Sequence, residues 1–398
     1  MKALFAGASP ATGYRPIEPI AYSGTSVGGY NAAIMASQPR TPALRTVGEL
    51  ERIWRQRIAD TLTSCGNGVF RTRPSFLQGF DPGCLLHPFS TFAQGAGDAV
   101  YLANYAVERA LAFATAQGSV ATRFLETVNV SAYISPEPFH RLVRDTVDFA
   151  GIQASDRDLA VTATNWDLGT ARIFEKRQMV GDLGYKALLA TAAIPGLFPP
   201  VEIGGHLFVD GGLLVNTPLK PAIVAGATDL HVVFLDPLLF NSDLGSTETF
   251  DVLVRSFAIV SADRVKQDVQ MARRINRALH ILEWLERGGT VTDSRDDLRA
   301  LGHLDGVVRR LSGGARPRRE LTIHCYRPNS DLGGATDLLN FSQGRITELI
   351  ERGYQDAVLH DCKENGCVLA HDHDDVTSQA KQSPSDFHSR SRERMNWS

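Results

Sequence analysis

The chain has 398 residues, 43% of them hydrophobic, which is enough to bury a large core in one large domain or two medium ones. Its 41 Lys plus Arg against 44 Asp plus Glu leave a net charge of -3, so nothing overall favours a nucleic acid partner, and no apolar run approaches the roughly 18 residues of a membrane span. Five cysteines, odd in number and scattered, do not make a disulfide framework; they read as free thiols in a reducing compartment, which sets the expectation of a cytoplasmic protein, soluble or peripheral to a membrane.

Met1 to Ala8 reads as the last turns of a helix, followed by a Pro/Gly loop to Pro19. Ile20, Ala21 and Tyr22 suit a short buried strand, and from Tyr30 the residues Ala32, Ala33, Ile34, Met35 and Ala36 suit a packed helix. Between them lies Gly24-Thr25-Ser26-Val27-Gly28, a G-x-S-x-G pattern. A serine at such a strand-to-helix turn needs strained dihedrals and close approach of the two arms, which predicts a requirement for Gly at both Gly24 and Gly28. Its hydroxyl would stand at a positive helix N-terminus, where an oxyanion formed in acyl transfer is favoured. A Gly/Ser-rich loop is the bland alternative, and the strand before and helix after favour the nucleophile.

Further along, the segment around Trp54 (GELERIWRQRIADTL) forms an amphipathic pattern, Thr63 to Phe92 reads as a long loop, and Gly97 to Gln117 carries Val100, Leu102, Tyr105, Ala106 and Leu111 at helical spacing, its aromatics assigned to core. Asp158 to Thr164 is a buried strand, with a turn at Asp167-Leu168-Gly169-Thr170 into a second strand, Ala171 to Phe174. The small-residue helix Tyr185 to Ala193 is stopped by Pro195 and a rigid bend to Pro200. Strand His206 to Val209 runs into Asp210-Gly211-Gly212, followed by a helix, Pro221 to Ala227, and the strand Leu230 to Leu235. This alternation predicts an α/β layer architecture with a largely parallel sheet and helices on both faces. Residues 241–319 turn helical and charged, with Val265 to Arg287 the best helix and Gly313 to Arg319 a basic linker. Leu321 to Tyr326 is a strand returning to the sheet, Ser342 to Leu359 an amphipathic helix, and the polar stretch beyond Leu369 is expected to be disordered.

Asp210 is the second chemical candidate, because an aspartate at a strand end before two glycines places its carboxylate at a sheet rim, where α/β folds hold ligands. A partly buried carboxylate near a serine hydroxyl can act as its general base, the role histidine has in a triad. The plain alternative is an Asp-Gly turn. His206 and His231 lie on strands and read as core or rim histidines. Cys362, Cys367, His371 and His373 have the residue types of a zinc site, but their spacing runs into the polar tail, so no metal is expected. The basic pairs Arg273-Arg274 and Arg309-Arg310 read as a solvated face.

Ser26 in its motif, Asp210-Gly211-Gly212, and ALLATAAIPGLFPPVEI (Ala187 to Ile203) between them together resemble the patatin-like phospholipases. TNWDLG (Thr164 to Gly169) is similar to that family's T-D-x-x-x-G strand end, and LNFSQG with the helix to Leu359 looks like its closing helix. The resemblance implies a three-layer fold divided into a core over 1–240, a helical insert over 241–319, a return strand and closing helix over 320–362, and a tail over 363–398. It implies a lipid acyl hydrolase with Ser26 as nucleophile and Asp210 as proton acceptor, no cofactor, and a phospholipid or other acyl ester as substrate at a membrane surface. Two alternatives stay open: a non-catalytic lipid- or partner-binding relative, and a Ser-His-Asp esterase. The family also has a strand and a G-G-G-x-R/K-G oxyanion loop ahead of the helix at Met1, so the DNA upstream is expected to encode both in frame.

Overall fold

The computed structural model describes residues 1–74, 82–115, 130–235, 320–328 and 339–369, together with Leu332 and single positions between 256 and 279. Helix α1 (Lys2–Phe5) is one turn that buries Ala3, Leu4 and Phe5. Strand β1 (Ala21–Thr25) leads through one residue into α2 (Val27–Ala36). The strand reaches beyond its apolar start because Ser23 and Thr25 donate their hydroxyls to the Pro218 and Val215 carbonyls, at 2.8 and 2.9 Å, and so enter the interior satisfied. Helix α2 is mostly small or apolar and is buried over most of its surface, with Tyr30, Ala33, Ile34, Met35 and Ala36 at 1% exposure or less. Helix α3 (Ala43–Ile53) turns Val47 and Leu50 inward and continues as a π-helical turn over Trp54–Ile58.

The stretch read as a long loop contains β2 (Arg71–Thr72), α4 (Pro82–Leu85) and the start of α5 (Pro88–Thr115). Strand β2 pairs antiparallel with β3 (Ile134–Ser135). Two expectations fail here. Cys65 and Cys84 are joined in a disulfide, because the excursion folds back on itself around the Arg71–Asp98 ion pair (2.6 and 2.7 Å) and brings their Cα atoms to 4.2 Å. The apolar positions of α5 are not core either: Val100, Val107 and Leu111 are exposed, and Tyr101 stacks under the Arg73 guanidinium at 4.0 Å. The helix is held by its one buried carboxylate, Asp98, rather than by an apolar stripe.

There follow α6 (Glu137–Thr146), α7 (Phe149–Ala154), β4 (Asp158–Asn165), β5 (Thr170–Glu175), α8 (Gly181–Thr191), β6 (Val201–Ile203), β7 (His206–Asp210), α9 (Leu219–Val224), β8 (Asp229–Val233), β9 (Thr322–Tyr326) and α10 (Gln343–Val358). The fold is α/β, with helices around a central sheet. Its middle strand, β4, is buried from Leu159 to Asn165, as a run covered on both faces must be. Strand β1 lies parallel to β4, with Gly24 opposite Val161 and Thr25 opposite Thr162. Strands β5 and β7 join β4 antiparallel, and β6 extends β7. Strands β8 and β9 make a second, parallel pair, so the return strand meets β8 rather than the central sheet among the described residues. The main core gathers α2 and α8 against β4, with Tyr326 and Ala357 contributing from β9 and α10. Among the described residues no helix is long and apolar enough to cross a membrane. Most of the helical insert, the basic linker and everything beyond residue 369 lie outside the described residues.

Candidate active site

The turn between β1 and α2 is a single residue, Ser26, held at φ 56° and ψ -136°. A non-glycine residue in that region costs on the order of 1–3 kcal/mol, and such strain concentrates where a side chain must be presented in one direction. Gly24 makes the turn sterically feasible: a Cβ there would stand 2.2 Å from the Gly28 carbonyl oxygen. Gly28 is a different case, since a Cβ on it would meet nothing within 4 Å. The requirement for glycine on both sides of the serine is thus corrected to one side, because the close approach runs from Gly28's backbone onto the Cα of Gly24.

The helix that ends in the Pro195 to Pro200 bend reaches the elbow directly. Thr191, on the last turn of α8, accepts the Ser26 N–H on its Oγ1 at 2.9 Å and donates its own proton to the Thr162 carbonyl of β4 at 2.5 Å. Two residues on, the Ala193 carbonyl accepts the Asp210 N–H at 2.8 Å. The hydroxyl of Thr25, next to the serine, reaches the Val215 carbonyl in the loop after Asp210. Three segments far apart in sequence are therefore tied to one another by backbone and hydroxyl bonds. Thr191 escaped the sequence reading; its signal was a lone hydroxyl within the small apolar run ALLATAAIPG.

Asp210 closes β7 and is fully buried. Its Oδ1 accepts the Gly212 N–H at 2.8 Å, and Oδ2 is buried without a formed hydrogen bond. Gly211 lets this turn press against the sheet, since a Cβ there would lie 2.4 Å from the Thr162 carbonyl oxygen and 2.8 Å from Thr25 Cγ2. Burial pushes the carboxyl up to about 7, opposed by the Ser26 hydroxyl, which lies within stabilising reach, and then by Gly212. The two candidate groups are thus brought together, one strained and one desolvated.

The histidines named from the sequence are elsewhere. His206 stands at the other end of β7 from Asp210, exposed and 3.3 Å from Asp167, while His231 on β8 bonds the Tyr326 hydroxyl at 2.8 Å. A cleft of about 330 Å³ opens at the start of β1 beside Ala21, Asp158 and Lys220, and neither Ser26 nor Asp210 lines it. It lies at the opposite end of β1 from Ser26.

Comparison with known families adds one decisive observation: the model of the patatin-like phospholipases matches residues 15–223, more than half of the chain. The chain belongs to the patatin-like phospholipase family. The match takes in the elbow, the bend and Asp210 of this patatin-like chain and ends within α9. The crystal structure of VipD from Legionella pneumophila is similar at 12% identity and a TM-score of 0.30, covering 85% of this chain and 61% of that one. No curated protein matches the chain.

Proposed function

We propose that this patatin-like chain is a lipid acyl hydrolase that cleaves carboxylic esters, phospholipid esters included, through a Ser26–Asp210 dyad. The observation that carries the reading is a buried carboxyl poised near 7 within reach of a serine on a strained elbow. A base matched to neutral pH takes a proton and returns it with little penalty in either direction. In the first half-reaction Ser26 Oγ attacks the ester carbonyl while Asp210 takes the hydroxyl proton. Collapse of the tetrahedral adduct expels the alcohol, which leaves with that proton, and an acyl-serine remains. Water then attacks the acyl-serine, again giving its proton to Asp210, and the fatty acid departs as the serine is reprotonated. Helix α2 starts directly after Ser26, so its positive end supports the oxyanion. His206 and His231 have their own partners, which favours the dyad over a histidine triad.

Ser26→Ala and Asp210→Asn should each lower hydrolysis of a p-nitrophenyl ester by about 10⁴-fold or more. A fluorophosphonate should label Ser26 alone, and His206→Ala should keep its activity. Unchanged turnover in either dyad variant would refute the assignment; a folded wild-type chain inert to esters and probe would favour a non-catalytic lipid-binding role.

A further inference from the structure

A second cluster of reactive side chains lies apart from the dyad, beside the β8–β9 pair. Strand β9 carries His324, and its neighbour Ile323 exchanges two backbone hydrogen bonds with Val368, at 2.7 and 2.9 Å, which lays Cys367 alongside the strand. His360 follows the end of α10, and the chain then folds into a tight knuckle. Asp361 Oδ1 accepts the N–H groups of Lys363 and Glu364 at 2.7 and 3.2 Å, the Cys362 carbonyl accepts the Cys367 N–H at 3.0 Å, and Gly366 makes the turn at φ 68°.

The consequence is that one ligand-type atom each from His324, His360, Cys362 and Cys367 lies within 4.8 Å of all the others. Cys362 Sγ is 3.5 Å from His324 Nδ1 and from His360 Nε2, and Cys367 Sγ is 3.4 Å from His360 Nε2. Bonds of about 2.3 Å to sulfur and about 2.0 Å to nitrogen in a tetrahedron give sulfur-to-nitrogen edges of about 3.5 Å. The surroundings hold these groups in place. The Cys325 N–H donates to Cys367 Sγ at 3.1 Å, the His231 ring stacks on His324 at 5.0 Å, and the Tyr326 ring lies 4.5 Å from His360. Outer partners of this kind fix the orientation of the ligands.

We propose that His324, His360, Cys362 and Cys367 bind one zinc ion that clamps the segment after α10 to β9. Four protein ligands leave no open position, which is the arrangement of a structural site. On binding, the two thiol protons pass to solvent, and two thiolates with two neutral imidazoles balance the divalent charge. The expectation of no metal rested on grouping the two cysteines with His371 and His373, a spacing that runs into the polar tail. Cys362 and Cys367 lie instead in the folded knuckle, and the imidazoles come from β9 and the end of α10, while His371 and His373 lie outside the described residues.

The test is metal analysis of the full chain purified without a histidine tag. About one zinc per chain is expected, and cobalt substitution should give the visible absorption of a tetrahedral, thiolate-bound ion. His324→Ala and Cys362→Ser should cut bound zinc at least tenfold, whereas His371→Ala and His373→Ala should keep it. Since the first pair could misfold, the wild-type stoichiometry and cobalt spectrum stand as an independent reading. Wild-type protein without zinc, a Cys362–Cys367 disulfide found by mass spectrometry, or zinc lost only in the His371 or His373 variants would each overturn the proposal.

Discussion

Replacing Asp210 by Asn should abolish the proposed ester hydrolysis and, above neutral pH, stabilise the chain. The carboxyl stands at about 7 in the folded chain against an ordinary value of 3.8. It therefore binds its proton more tightly folded than unfolded. The stability it contributes is intact below pH 3.8 and is lost as the pH rises to about 7, where a buried charge must form. A shift of about three units at about 1.4 kcal/mol each sets an upper bound of roughly 4 kcal/mol. Asparagine does not ionise, can still accept the Gly212 N–H, and can donate to Ser26, so most of that loss should be recovered. The expected gain is about 2–4 kcal/mol at pH 8, or roughly 2–5 °C in Tm, shrinking to nothing near pH 4. Thermal melts of both proteins at pH 4, 6 and 8 measure it. A difference that is the same at pH 4 and pH 8, or an Asn variant less stable than wild type at pH 8, would refute the argument that desolvation sets this group.

The same carboxyl fixes the pH profile: kcat/KM should rise with pH and level off above about 7, because only the ionised form accepts the serine proton; a profile already flat from pH 5 would contradict it. Gly24→Ala should yield insoluble or inactive protein, while Gly28→Ala should fold with an unchanged melting temperature, as circular dichroism can decide. Thr191→Val strips the Ser26 N–H of its acceptor and the Thr162 carbonyl of its donor, at a cost of about 1–3 kcal/mol for each buried group. Its kcat should fall more than tenfold and be rescued by Thr191→Ser; equal activity in the two would show that the hydroxyl does not position the elbow.

The elbow and the Asp210 turn were legible because their signals are local. A buried strand, a small-residue helix and an aspartate at a strand end each leave a pattern within about ten residues. The bond from Thr191 to Ser26 leaves only a lone hydroxyl in an apolar run, since it depends on where α8 crosses β4, and the two residues are far apart in the chain. The Cys65–Cys84 bridge and the grouping of His324 with Cys362 are likewise products of folding back. Exposure was the other blind spot. Helical spacing in α5 marks an apolar face but does not say whether anything covers it, and Val100 and Leu111 face solvent.

The backbone N–H of Ser26 ends on Thr191 and that of Asp210 on Ala193, two residues apart at the end of α8. The proposed nucleophile and base therefore share one short reference at the end of α8. The same two groups are also held through β4, which pairs with Thr25 beside Ser26 and with Asp210, so the end of α8 and one strand together set their positions. On the proposed dyad, a substitution that displaces the end of α8 should therefore disturb both groups together rather than one alone.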